Sequence, residues 1–287
     1  MNPALWGGLS ALSLGSADFA ARFSSRAIGH ANALLGMLVV GAVVLTGWAL
    51  FSDAVLVWDP SGYWLLALNG VAITAMTLLL YLGLARGPIS IVAPIAASHP
   101  VLVVAFWAAL GAEPSPIQWL AMATTVVGVV IVARSTGHYQ KNGVMSAAYL
   151  KTTVLIAFAA ALFYAVALLA GQLAVPIYGA LQTLWLGRLA SLAALLIYFL
   201  ARRERPGLAR RWWPFLAAQG LLDAGGYLFL FLGSGGPGAE IAVVTASGFA
   251  AVTVVLARLV LREAMSGVQW GGMVLVFTGI ALLSAQP

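Results

Sequence analysis

Runs of about twenty apolar residues follow one another along almost the whole chain, each long enough to cross the hydrocarbon core of a bilayer as a helix. They cover roughly 4–22, 31–51, 63–85, 89–111 and 116–134, and then 151–174, 178–200, 213–233, 239–261 and 268–285. A spanning segment has no water to satisfy its backbone, so it closes its own hydrogen bonds as a helix or joins a closed barrel. Continuous runs without alternation exclude the barrel. An all-α integral membrane fold with ten transmembrane helices is expected. Composition agrees: 62% of the 287 residues are hydrophobic and 8% are charged, against about 25% charged in a soluble domain. The opening MNPALWGG carries no basic stretch like that of a cleavable signal peptide, so the first run reads as a retained span.

The few basic residues orient the spans. Of 14 Lys and Arg, 12 lie in or beside the odd-numbered loops. These are Arg22 and Arg26 in loop 1, Arg86 in loop 3, Arg134, Lys141 and Lys151 around loop 5, five arginines between 202 and 211 in loop 7, and Arg262 in loop 9. Arg258 can snorkel to loop 9, and Arg188 falls inside span 7. The even loops hold Asp53, Asp59 and Glu113 instead, with Glu240 at the edge of span 9. By the positive-inside rule the odd loops face the cytoplasm and both termini face away from it. The net charge of +6 is scattered between apolar runs and forms no basic arm, so no nucleic-acid partner is expected. There is no cysteine, which removes disulfides, thiolate metal sites and thiol nucleophiles.

A shift of about 150 residues superposes the two halves of the chain. Glu113 is followed by Gln118, Trp119 and GVVIV from Gly128, while Glu263 is followed by Gln269, Trp270 and GIALL from Gly279. LALNG at 66–70 matches LAAQG at 216–220, YLG from Tyr81 matches FLG from Phe231, and Gly87-Pro88 matches Gly236-Pro237. The division is therefore 1–134 as a first five-helix repeat, 135–150 as a connecting loop and 151–287 as a second repeat. An odd number of spans per repeat inverts the second copy in the membrane. Inverted repeats characterise secondary transporters, which bind substrate near the midplane between the halves.

Together with Leu5-Trp6-Gly7, the Gly87-Pro88 turn, the Pro94 to Pro100 region and the two Glu-x(5 or 6)-Gln-Trp…Gly ends, this duplication resembles the EamA-type branch of the drug/metabolite transporter superfamily. Length and spacing are similar to its YddG-type amino-acid exporters. The resemblance implies ten helices in two five-helix repeats in a bacterial inner membrane, acting as a monomer. It also implies export of amino acids, related metabolites or drugs. Members of that branch tend to keep both termini in the cytoplasm, with basic residues in loop 2 and the C-terminal tail. Here loop 2 is acidic and the tail SAQP is uncharged, so orientation is read from this chain's own charges.

Charged groups at bilayer depth are costly and mark pathways. Gln219, Asp223 and Tyr227 recur every four residues on one face of span 8, and the shifted face of span 3 carries Asn69, Ile73 and Thr77. Spans 3 and 8 are expected to face each other across a central path. A structural reading of Asp223 has it paired with Arg188. His99, preceded by Ser98 and flanked by Pro94 and Pro100, is expected beside a cavity, because two prolines free backbone carbonyls that need polar company. The imidazole would bind a carboxylate or stack on a ring. Asp18 and Arg22 have the favourable i, i+4 order for a helical ion pair, with coupling to substrate or protons as the alternative. Phe163, Tyr164 and Trp185 could stack on a substrate ring. Glu113 and Glu263 suit the positive ends of the helices that follow them. The three histidines are scattered, and neither HExxH nor G-x-S-x-G occurs, so an intramembrane enzyme is not expected and no cofactor is called for. No filter-like segment suggests a channel. A carrier for hydrophobic cations or lipid-like metabolites remains the alternative.

Overall fold

The computed structural model describes residues 2–51, 55–135, 146–233 and 239–285, without the side chains of 239 and 240. Asp53, His138, Lys141 and the Gly236-Pro237 turn lie outside the described residues. All regular structure among those described is helical. In chain order the helices are α1 (Pro3–Ile28), α2 (His30–Phe51), α3 (Tyr63–Arg86), α4 (Ile89–Ala96), α5 (His99–Ala109) and α6 (Pro116–Arg134), then α7 (Ala147–Tyr178), α8 (Ala180–Arg202), α9 (Trp213–Gly233), α10 (Ala239–Ala246), α11 (Phe249–Val260) and α12 (Gly267–Ser284).

Nine segments among the described residues are long and apolar enough to cross a membrane, with α4–α5 and α10–α11 each counted as one. Helix α1 falls outside that set, since its small and polar residues, together with Asp18, Arg22 and Arg26, dilute its apolar content. Its packing accounts for that composition. It lies against α2, α3, α9, α10 and α11. Gly7 and Gly15 let it approach the α10 and α11 backbones so closely that a Cβ at either would meet the carbonyl of Ala242 or Phe249.

The fourth span is not one helix. Pro100 has no N–H to give the Ala96 carbonyl. The helix breaks at Ala97-Ser98, and the freed carbonyl pairs with His99 Nδ1 at 3.2 Å. Ser98 Oγ donates to Ile95 O at 2.7 Å. The ninth span breaks at the matching place without proline, where Ser247 Oγ donates to Val244 O at 2.6 Å. Helices α6 and α12, which end the two halves, pack against each other through Gly128 and Gly272.

Candidate functional site

A cavity of about 320 Å³ lies between α1, α2, α3, α4, α7, α8, α9 and α11, within the roughly 300–1,000 Å³ typical of small-molecule sites. Aliphatic side chains line most of it. Its polar groups are Asp18 from α1, Asn69, Thr77 and Tyr81 from α3, Tyr164 and Gln172 from α7, Thr183 and Arg188 from α8, Asp223 and Tyr227 from α9, and Thr253 from α11.

One charged pair crosses it. Arg188 Nη2 donates to Asp223 Oδ2 at 2.6 Å, with the guanidinium 5.6 Å from the Tyr227 ring centroid and Nη1 on Met37 Sδ at 3.3 Å. This is the ion pair between spans 7 and 8 that the sequence offered as a structural reading. Asn69 Nδ2 donates to Ala167 O at 2.7 Å, and its Oδ1 occupies the space a Cβ at Gly187 would need. Thr77 returns its hydroxyl to Ile73 O at 2.9 Å, and Thr253 to Gly15 O at 3.0 Å. Backbone carbonyls therefore already engage Asn69, Thr77 and Thr253.

The cavity is asymmetric along the bundle. Gln172, Val175, Ala180 and Thr183 carry its wall to the α7–α8 turn at Gly179. Near that rim, Gln182 exchanges two hydrogen bonds with the backbone of Val57, and Tyr178 donates to the Asp59 carbonyl. The opposite end is closed in two layers. In the first, Ser24 Oγ donates to Gln219 Oε1 at 2.8 Å, and Gln219 Nε2 donates to Tyr81 Oη at 2.7 Å, joining α1, α9 and α3. In the second, Arg22 donates to the carbonyls of Gly87 at 2.6 Å and Leu84 at 3.1 Å and lies 3.6 Å from Glu263. Glu263 accepts from the Ile89 and Ser90 amides at 2.9 and 3.1 Å, and Gln269 Nε2 donates to Ser90 Oγ at 3.0 Å.

Several expectations change. Arg22 does not pair with Asp18, because the carbonyls at the C-terminal end of α3 and the Glu263 carboxylate hold it instead. Glu263 caps α4 and not its own following helix, whose N-cap is Ser266. Glu113 is exposed and makes no bond among the described residues, and the helix after it is capped by Ser115 in a capping box with Gln118. Spans 3 and 8 both border the cavity, but Gln219 sits below its floor as part of the seal. His99 stands behind Tyr164, stacked at 3.8 Å between ring centroids, and does not border the cavity; nor does Ser98. Phe163 turns outward and is 38% exposed. Trp185 Nε1 donates to Thr46 Oγ1 at 2.9 Å. Residues that the sequence did not place at the cavity include Arg188, Tyr81 and Thr183. Arg188 had a signal, as a cation deep within a span. Tyr81 sat in plain view in the repeated YLG, and Thr183 carried none.

The described residues form a helical bundle with nine membrane-length segments and a partly polar internal cavity, as in an integral membrane protein. The model of the EamA-like transporter family matches residues 1–134 and 151–285, and the chain belongs to that family. No curated protein matches it. A solved structure described only as "Crystal structure of protein" is similar in fold, with a TM-score of 0.65 at 18% identity over 98% of this chain and 95% of that one.

Proposed function

We propose that this chain is a secondary transporter that exports amino acids and related small metabolites, moving them through the central cavity by alternating access between two inverted five-helix halves, with α1 as the tenth crossing. The observation that carries the reading is the asymmetry of the cavity. It extends to the α7–α8 turn at one end and is closed by Ser24, Gln219, Tyr81, Arg22 and Glu263 at the other.

The repeat gives that asymmetry a meaning. Glu263 and Gln269 clamp the start of α4, while among the described residues their counterparts Glu113 and Gln118 make no bond to α10. Two equivalent clamps with one engaged is what a carrier resting in one of its two states requires. In the opposite state the Glu113 end would close and the Glu263 end open. By the positive-inside rule the basic residues favour the cytoplasm for the closed end, and on this reading the carrier rests facing outward with both termini outside. A carrier of hydrophobic cations shares this architecture and is the second reading, favoured by the largely aliphatic wall.

Accessibility tests the pathway. In the cysteine-free chain, Asn69→Cys and Thr77→Cys are expected to react with a water-soluble thiol reagent from the outer side, and Gln219→Cys to react only when the inner seal opens. Protection of all three in every condition would contradict the pathway.

A further inference from the structure

Charge balance in the cavity is incomplete. Asp223 is neutralised by Arg188 at 2.6 Å. Asp18, on the facing helix, has no hydrogen bond or ion pair among the described residues, because the arginine one turn later is drawn to α3 and Glu263. It borders the same cavity as the paired Arg188 and Asp223. Asp18 is partly buried at the cavity wall, and a carboxylate at that depth with no cation bonded to it is costly unless something positive joins it. Around it stand aromatic walls: Tyr164, whose other face is covered by His99, Phe249, and Tyr227. Carboxylate and ring faces together suit an ammonium group.

We infer that Asp18 is the counter-ion for the substrate's ammonium group, so that the site takes organic solutes carrying a protonated amine and rejects their purely anionic counterparts. This rests on the transport reading above and narrows its substrate class. The Arg188–Asp223 pair is then a fixed wall, and Asp18 is the charge left over for the cargo. A free amine and an amino-acid zwitterion present the same ammonium to Asp18. They differ at Arg188, whose Nη1 is spent on the weak thioether acceptor of Met37 and is available to a carboxylate.

The test uses the full chain in nanodiscs with three size-matched probes, phenylethylamine, phenylalanine and 3-phenylpropionate, followed by transport of the binders in proteoliposomes. The wild type is expected to bind one or both ammonium probes and not 3-phenylpropionate. Preference for phenylalanine over phenylethylamine identifies a zwitterion site, and the reverse an amine site. Asp18→Asn, nearly the same shape, is expected to weaken the preferred probe at least about tenfold while melting at or above the wild-type temperature. Asp18→Glu is expected to retain part of the binding. Unchanged binding in Asp18→Asn overturns the assignment, as does equal binding of the anionic probe or a lowered melting temperature with affinity intact. Transport of phenylalanine unaffected by Asp18→Asn leaves the carrier reading standing and this one refuted. Asp18-dependent binding without movement across the liposome membrane does the opposite.

Discussion

The Arg188–Asp223 pair should be among the most costly side-chain contacts in the protein to break from one side. Its side chains are 5% and 15% exposed, and its atoms are 2.6 Å apart. Removing one member of such a buried pair leaves the other charge uncompensated, at about 3–5 kcal/mol. Asp223 is the more exposed of the two, so Asp223→Ala is expected near the lower end of that range, and Arg188→Met, which strips the charge from the more enclosed side, no lower. The doubly neutral variant Arg188→Met with Asp223→Leu should recover at least half of the loss, because neither partner is then orphaned. Reversible unfolding in mixed micelles gives the double-mutant cycle, with a coupling of about 2 kcal/mol or more expected. Arg202 and Glu204 supply an internal reference, since they lie 3.4 Å apart at 62% and 50% exposure, where an ion pair is worth about 0–1 kcal/mol. A coupling for Arg188 and Asp223 no larger than that of the exposed pair would refute the reasoning. Transport in the double variant should stay lost even where stability returns.

Other perturbations address the seal and the wall. Tyr81→Phe deprives the buried Gln219 Nε2 of its acceptor at a cost of about 1–3 kcal/mol and should raise labelling of a Leu84→Cys reporter from the cytoplasmic side. Glu263→Gln weakens the α4 cap and the Arg22 contact and should increase cytoplasmic access, whereas Glu113→Gln should leave accessibility of the resting state unchanged; equal effects of the two would remove the clamp argument. His99→Ala takes away the stacking surface behind Tyr164, worth about 0.5–1.5 kcal/mol beyond its buried area. It should therefore lower the melting temperature along with substrate affinity, and a loss of affinity at unchanged stability would place His99 in the cavity after all. A reporter fused after Pro287 that fluoresces only in the cytoplasm should stay dark.

Much of the architecture was legible because bilayer solvation acts locally. Each apolar run must satisfy its own backbone, and the arginines that border the runs declare themselves without any tertiary information. The break in the fourth span was legible in part, as Pro94 and Pro100 announce freed carbonyls. What they did not reveal is that His99 itself would take one of them, turning the ring away from the cavity and onto Tyr164. The ninth span breaks at Ser247-Gly248 with no proline to signal it. At the site, side chains were read by helical spacing, which finds the right face but not the depth. Gln219 shares a face with Asp223 and Tyr227 and still falls below the cavity floor, where Ser24 and Tyr81 claim its amide. The i, i+4 rule joined Asp18 to Arg22 on the strength of a few tenths of a kcal/mol, and several charge-assisted bonds to Leu84, Gly87 and Glu263 outweigh that. Glu263 meets α4 across more than 170 residues of chain, a pairing that no local pattern encodes.

The central claim is that the cavity carries solutes across the membrane, and counterflow tests it most directly. Proteoliposomes loaded with a mixture of unlabelled amino acids and diluted into trace labelled amino acid should accumulate label above protein-free liposomes, and Asp223→Asn should abolish the accumulation. If no labelled amino acid enters faster with the wild-type protein than without it, the amino-acid carrier reading is contradicted.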